Sequence, residues 1–310
     1  MFDGVCLAVN TSPTVSIVIP AHDDASTISK CLAAILSGTF QNLEVVVVDD
    51  QSRDATWSDL LAYVAHPQIR LIRNANRRGA AHSRNRGVAA ARGEFVFFLD
   101  ADCIPEPDWV EMGLTGFTSP AVIAVEGAVF YGNDSPSLRD KVPINPLYNL
   151  SQVRPVNLPQ CDYAAGNIAY RASVLRAENG FDAATFAVGR EDTDLALRAL
   201  RHGKIVYRRE MKVVHVPSRW TVAALLRNAG RYECDVHLYQ RHGIFAHRWG
   251  RVLHPKFFIM LLIPPFFLGW ALRYVRSRAD FFFLGPLYLY LLALRFHIWR
   301  AAWRGGLFVI

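Results

Sequence analysis

The strongest constraint in this 310-residue sequence is a regular alternation within its first hundred positions. Val15–Ile19, Leu43–Val48, Ile69–Ile72 and Phe95–Leu99 are short runs of mainly β-branched and aromatic residues. Such near-continuous apolar runs are the pattern of strands buried on both faces. Between them, Ile28, Leu32, Ile35 and Leu36 recur at helical spacing within 26–37, and 55–65 and Gly79–Ala91 carry helical patterns. Strand and helix in turn predict an α/β domain with a parallel sheet covered by helices. Hydrophobic residues at 52% and charged residues at 20% supply the core that this needs and exclude wholesale disorder.

Beyond residue 120 the pattern changes. Ala121–Phe130 and Asp162–Tyr170 read as strands around a Pro-, Asn- and Ser-rich stretch over 131–160. A connection of that length without elements of its own is expected to be a functional loop. Glu191–Arg201 reads as a helix, Ile205–Tyr207 and Lys212–Val216 as short strands, and 221–243 as an amphipathic helix. Five scattered cysteines with no CxxC exclude a disulfide framework and a thiolate zinc site.

The net charge of +7 is concentrated in the last 65 residues, where nine arginines and lysines face one acid, Asp280. The basic excess belongs to a greasy tail, which points to an anionic membrane surface and not to nucleic acid. Two uncharged runs in this tail, Phe257–Leu272 and Phe281–Leu294, both fall short of the roughly 20 residues that a span needs. The first contains Pro264-Pro265, and the loop between the runs holds three arginines. Two spans would set that loop across the membrane from a cytoplasmic domain, against the positive-inside rule. A re-entrant hairpin or a pair of interfacial helices removes the conflict; two buried core helices are the bland reading. No basic segment followed by an apolar run opens the chain, so the first domain is expected to stay in the cytoplasm.

In such sheets ligands gather at the carboxyl ends of the strands. Here Asp23 follows the first strand, Asp49 and Asp50 the second, and Asp100 and Asp102 the fourth. An acidic rim of this kind suits a hard divalent cation and the hydroxyls of a nucleoside. Neither GxGxxG nor GxxxxGK[ST] occurs, which argues against a dinucleotide dehydrogenase or an ATPase. A metal at the D-x-D pair can hold a diphosphate without a glycine cradle, with Arg84 or Arg77 supplying positive charge. Glu191-Asp192 opens a helix, where acids favour the dipole and where one carboxylate can also serve as general base. Asp194 and Arg198, four apart, read as a structural ion pair. His215 ends a strand and is an acceptable ligand for Mn²⁺ beside oxygen donors. Gly166-Asn167 would let a sugar approach the backbone, and Cys103 reads as a small buried hydrophobe.

The stretches Val15–Asp23, Val46–Ser52, Gly79–Gly87, Phe98–Asp102 and Gly189–Leu195 follow one another in the order of a known family. Over roughly 14–220 the chain resembles a family 2 glycosyltransferase of the bacterial surface-polysaccharide type. The resemblance implies the GT-A fold, a Rossmann-like mixed α/β sheet of nucleotide-diphospho-sugar transferases, here followed by C-terminal hydrophobic membrane-associating helices. It divides the chain into a catalytic domain at 1–245 and a basic, hydrophobic helical region at 246–310. The nucleotide-sugar half of the domain would cover about 14–120 and the acceptor half about 121–245. By the same resemblance Asp23 and Asp50 bind the nucleoside, Arg84 lies near the diphosphate, and Asp100 and Asn167 also face the donor. Asp102 is then the direct ligand of Mn²⁺ or Mg²⁺, with Asp100 and His215 assisting. Asp192 is the general base, and Glu191 orients the acceptor or its loop.

The implied activity is metal-dependent, inverting transfer from a nucleotide-sugar, UDP-linked by family frequency, to a hydroxyl of a lipid-linked oligosaccharide or glycolipid. The implied place is the cytoplasmic face of the inner (plasma) membrane. A polyprenyl-phosphate glycosyltransferase is the neighbouring alternative within this chemistry. A nucleotidyltransferase would show a glycine- and lysine-rich loop after the first strand, which Ala21–Ile28 lacks. A catalytically inactive membrane scaffold would have lost an acid from the D-x-D or Glu-Asp motif, and both are intact.

Overall fold

The computed structural model describes residues 13–131, 163–216, 222–243 and 278–306, with isolated positions between 248 and 272. The stretch 132–160 and most of Phe257–Leu272, both singled out above, lie outside the described residues. The first half alternates as the apolar runs require: β1 (Val15–Ala21), α1 (Ile28–Leu36), β2 (Leu43–Asp49), α2 (Thr56–Leu61), β3 (Ile69–Arg73), α3 (Ala80–Ala90) and β4 (Phe95–Leu99). The chain continues through β5 (Cys103–Pro105), α4 (Trp109–Leu114), β6 (Val122–Tyr131), β7 (Asn167–Arg171), α5 (Ala172–Ala177), α6 (Glu191–Ala199) and β8 (Lys204–His215). Then come α7 (Val222–Ala229), a 3₁₀ turn (Gly230–Tyr232), α8 (Glu233–His242), a two-residue β-ladder (β9, Arg248–Trp249, with β10, Val252–Leu253) and α9 (Arg278–Arg304).

One eight-stranded sheet, in the order β3-β2-β1-β4-β7-β6-β8-β5, joins both halves. β1 to β4 run parallel. β7 is antiparallel to β4 and β6 is antiparallel to β7, so the sheet is mixed, not parallel throughout. Strands covered on both faces feed two cores by simple alternation. Ile17, Ile19, Val45, Val47, Phe97 and Leu99 fill one, while Val18, Val46, Val48, Val96 and Phe98 fill the other. The two short strands expected at 205–216 are one strand, β8. Its register against β6 slips between Gly127 and Ala128, which oppose Arg208 and Lys212, so Arg209, Glu210 and Met211 are extra. A bulge absorbs the charged Arg-Arg-Glu run that interrupted the apolar pattern. The helix expected at 221–243 breaks at the 3₁₀ turn that Gly230 opens.

At the C-terminus, Phe281–Leu294 is not an independent segment but the interior of the 27-residue α9. That helix packs on α7, the 3₁₀ turn and α8. Among the described residues, no helix is long and apolar enough to cross a membrane.

The carboxyl ends of β1, β2 and β4 reach one edge, and α3 lies close across β1. A Cβ added at Gly87 in α3 would stand 2.3 Å from Val18 Cγ1. Gly87→Ala is therefore expected to cost about 1–3 kcal/mol through overpacking. Urea unfolding followed by far-UV circular dichroism checks this, and an unchanged midpoint would contradict the close approach.

Candidate active site

The acids after β1, β2 and β4 converge, but they do different jobs. Asp49 is fully buried and pairs with Arg73 at 3.0 Å, beneath the rim. Asp50 is buried too. Its carboxylate accepts hydrogen bonds from Asn74 Nδ2 at 2.6 Å and from the backbone N–H groups of Arg78 and Gly79 at 2.8 and 2.7 Å. Burial works against its ionisation, yet these hydrogen bonds hold it below the ordinary carboxylate range. Asp50, expected on the nucleoside, is thus committed to shaping the loop between β3 and α3. That loop presents the exposed Arg77 and Arg78 and ends at Gly79, whose φ of 89° needs glycine. Asp23 is the exposed member of the rim. Its backbone sits at φ 59°, its N–H donates to Ser52 Oγ and its Oδ1 accepts the Arg53 N–H. Gln51 at φ 60° and Arg190 at φ 67° add two more non-glycine residues in this costly region beside the acid motifs. Such strain persists where the surroundings enforce it, commonly at binding sites.

Arg84 joins the two halves. It is 5% exposed, its Nη2 binds Asp100 Oδ1 at 2.7 Å, and its Nη1 binds Glu191 Oε1 at 2.9 Å. The Phe181 ring lies 5.7 Å from its guanidinium carbon. Burial opposes the charge, and the two carboxylates more than restore it, so its pKa lies above the ordinary arginine value. Arg84, expected near a diphosphate, ties the D-x-D motif to the Glu-Asp motif. Glu191, expected to orient an acceptor, is likewise engaged by Arg84. Asp192 beside it is only partly buried, with its oxygens on the backbone N–H groups of Ala165 at 3.2 Å and Thr193 at 2.8 Å. Burial and then the neighbouring Glu191 charge push its carboxyl up to about 7, against the pull of Arg84.

At the other end of the D-x-D motif, Asp102 Oδ2 lies 3.2 Å from His215 Nε2. β5 pairs Cys103 with His215 directly, which is what brings the two side chains together. Ligand atoms of Asp102, Cys103 and His215 all lie within 4.8 Å of one another. Burial pushes the Asp102 carboxyl above its ordinary value; His215 opposes this and Asp100 adds to it. A partly buried acid held up in this way, facing an imidazole, fits a divalent cation. Asp100 stands outside this trio, with its Oδ1 on Arg84 and its Oδ2 facing Gly166, where an added Cβ would lie 2.9 Å away.

Asn167 is corrected outright. It is 0% exposed, donates to Ala128 O at 2.9 Å and Met211 O at 2.8 Å, and accepts from Trp109 Nε1 at 2.8 Å. Its amide ties β7, β6, β8 and α4 together and faces no ligand. Asp24 was missed beside Asp23. Burial above all, with Asp102 and Asp100 contributing, pushes it up to about 7, which places a further acid next to the D-x-D motif. Asp194 and Arg198 do pair at 2.8 Å, and Arg241 and His242 of α8 join them at 3.0 and 2.8 Å.

The family model for "Glycosyl transferase family 2" matches residues 16–178. The chain belongs to that family. The matched region runs from β1 through α5 and so includes the acid rim, Arg84 and the D-x-D motif. Glycosyltransferase AglE of Haloferax volcanii is 33% identical over 123 residues, 39% of this chain and 40% of AglE. The UDP-Glc:alpha-D-GlcNAc-diphosphoundecaprenol beta-1,3-glucosyltransferase WfaP of Escherichia coli is 38% identical over 88 residues, 28% of this chain and 35% of WfaP. The family 2 chain therefore spans well under half the length of these curated relatives. Mannosyltransferase PcManGT from Pyrobaculum calidifontis, solved with GDP-Man and Mn2+, superposes with a TM-score of 0.60 at 22% identity. That likeness covers 94% of this chain and 88% of the other, and shows that the mixed sheet is GT-A-like.

In the unliganded protein the Asp192 carboxyl is expected to titrate near pH 7, and Arg84→Gln should move its midpoint upward by removing a stabilising cation. Carbon-detected NMR of labelled aspartate carboxyls reads both. A midpoint near 4, or one that falls in the variant, would contradict the electrostatics.

Proposed function

We propose that this protein is a metal-dependent, inverting glycosyltransferase. It moves a sugar from a nucleotide-diphosphate sugar, UDP-linked, to a hydroxyl of a lipid-linked oligosaccharide or glycolipid. The observation that carries this reading is the Arg84 bridge. It holds a carboxyl raised to about 7 in the same centre as the Asp102–His215 pair. Asp192 then takes the proton of the acceptor hydroxyl as the oxygen attacks the anomeric carbon. The bond from that carbon to the diphosphate breaks on the opposite face, and the nucleoside diphosphate leaves with the electron pair. A base whose pKa lies near the working pH is suited to this. One carboxylate suffices, because no glycosyl-enzyme forms. Asp102 and His215 would hold Mn²⁺ or Mg²⁺, whose chemistry is to offset charge on the departing diphosphate. Exposed Arg77 and Arg78 provide further positive charge at the same edge.

A lipid-linked acceptor is supported by the activity for which WfaP is named, on a diphosphoundecaprenol-linked sugar, and by the basic, aromatic C-terminal region. A lipid phosphate acceptor is already ionised and gains little from a base tuned to pH 7, so a sugar hydroxyl is favoured. Placement at the cytoplasmic face of the plasma membrane belongs to the same reading.

Asp192→Asn is expected to keep donor affinity within about twofold and to lose roughly 10²–10⁴ in turnover. Transfer should also vanish in EDTA, return with Mn²⁺, and fail in Asp102→Asn. Radiolabelled nucleotide-sugars offered with membrane lipid extract measure all three. Full transfer in EDTA, or by Asp192→Asn, would overturn the assignment.

A further inference from the structure

Helix α9 is apolar on two opposite faces. Tyr290, Leu291, Leu294, Ile298, Ala301 and Ala302 are buried where it packs on the catalytic domain. Leu289, Leu292, Phe296, Trp299 and Trp303 recur at alternating steps of three and four and stand exposed, Phe296 at 59% and Trp303 at 87%. Spacing of that kind draws a single stripe along the helix. The stripe is much larger and more aromatic than scattered surface residues normally are.

Beside it lies an uncompensated charge. Arg295 is 5% exposed, and its Nη2 is buried with no hydrogen-bond partner. Its guanidinium carbon stands 4.6 Å from the centre of the Trp299 ring, so it sits against a side chain of the exposed stripe. Burial alone pulls its pKa down to about 10, leaving it charged at neutral pH. A buried cation without an anion is expensive. Arg300, by contrast, has an anion, because Glu233 of α8 pairs with both Arg300 Nη2 and His297 and fastens α9 to the domain, although Arg300 Nε has no partner.

We propose that the exposed stripe of α9 lies in the headgroup layer of an anionic membrane, where the Trp299 ring turns aside and lets the buried Arg295 take a lipid phosphate. A second copy of this chain is the poorer occupant. The only acid in α9 is Asp280, at its start, so pairing two stripes would bring Arg295 and Arg304 of each copy together with no acid on the helix to offset them, while Arg300 is already held by Glu233. An anionic surface supplies the missing counter-charge. The helix does not cross, being interrupted by Arg295 and Arg300. It lies in the plane of the interface, where Trp, Phe and Leu enter and arginine meets phosphate. α8 connects this surface to the catalytic helix. Its Asp235 binds Arg190 at 2.5 Å, next to Glu191, and its Arg241 and His242 bind Asp194. The inference gives the lipid-linked acceptor of the proposed function a place to be met, and rests on that reading for its purpose only.

The test is flotation of the full-length protein with vesicles of phosphatidylcholine, with or without phosphatidylglycerol, in the absence of donor and acceptor. It can therefore fail or succeed independently of the glycosyl-transfer assignment. Wild type should float with the anionic vesicles, and Leu292→Glu/Phe296→Glu should reduce binding by about tenfold or more. Both positions are exposed, so the thermal midpoint should not move. Arg295→Gln should lose the preference for phosphatidylglycerol while keeping the residual binding to neutral vesicles. Free inorganic phosphate at millimolar concentration should leave flotation unchanged. Equal flotation of the stripe variant and wild type would overturn the docking face. An intact lipid preference in Arg295→Gln, or competition by free phosphate, would overturn the headgroup contact. A dimer that the stripe variant splits, seen by light scattering, would assign the face to a second copy instead.

Discussion

The site depends on one buried guanidinium. Arg84 comes from α3, Asp100 from the end of β4 and Glu191 from the start of α6, so three elements distant in sequence meet at two ion pairs. Breaking a buried pair by removing one partner costs about 3–5 kcal/mol, because the other charge is left unpaired. That penalty fixes the relative placement of the D-x-D motif and the Glu-Asp motif more firmly than apolar packing can, since packing has no preferred pairing. It also sets the electrostatics. Asp100 and Glu191 share the one charge of Arg84, and the negative charge left over, together with burial, raises the carboxyls of Asp102 and Asp192. Each motif thus carries one acid that builds the centre and one that is available to ligand chemistry.

The rest of the fold supports this division. A sheet buried on both faces aligns the ends of β1, β2 and β4, so their acids share one edge without further instruction. The antiparallel β7 brings Gly166 against Asp100, and the antiparallel pairing of β5 with β8 brings His215 against Asp102. Asn167 holds these additions in place from inside the core. α8 braces α6 from behind through Asp235 and the Asp194 cluster, and is itself pinned to α9 by Glu233. Helix α6 and the C-terminal helix therefore share a support.

The legible parts of this structure were those with local signals. Apolar runs bounded by acids have one economical meaning, and all four parallel strands lie where those runs do. The 3,4 spacing of α1 and the i,i+4 pair of Asp194 and Arg198 are equally local. What stayed hidden was set at long range. Arg84 and Glu191 are 107 positions apart. No spacing rule announces that an arginine in an alanine-rich helix will be consumed by two carboxylates. Asn167 followed a glycine and read as a place for a sugar, but Trp109 and two carbonyls had already claimed its amide. β8 was split because the charged Arg208–Glu210 run masks a bulge. Asp24 went unremarked beside Asp23 because only burial separates them: one is exposed and the other is pressed against the D-x-D acids.

In the proposed reaction a single carboxylate, Asp192, drives direct displacement at the anomeric carbon in a centre assembled by Arg84. The anomeric configuration of the first transferred product, read by proton NMR from the coupling constant before any equilibration, tests it most directly. Inversion relative to the nucleotide-sugar is expected. Retained configuration would require a covalent intermediate or front-face attack and would contradict it.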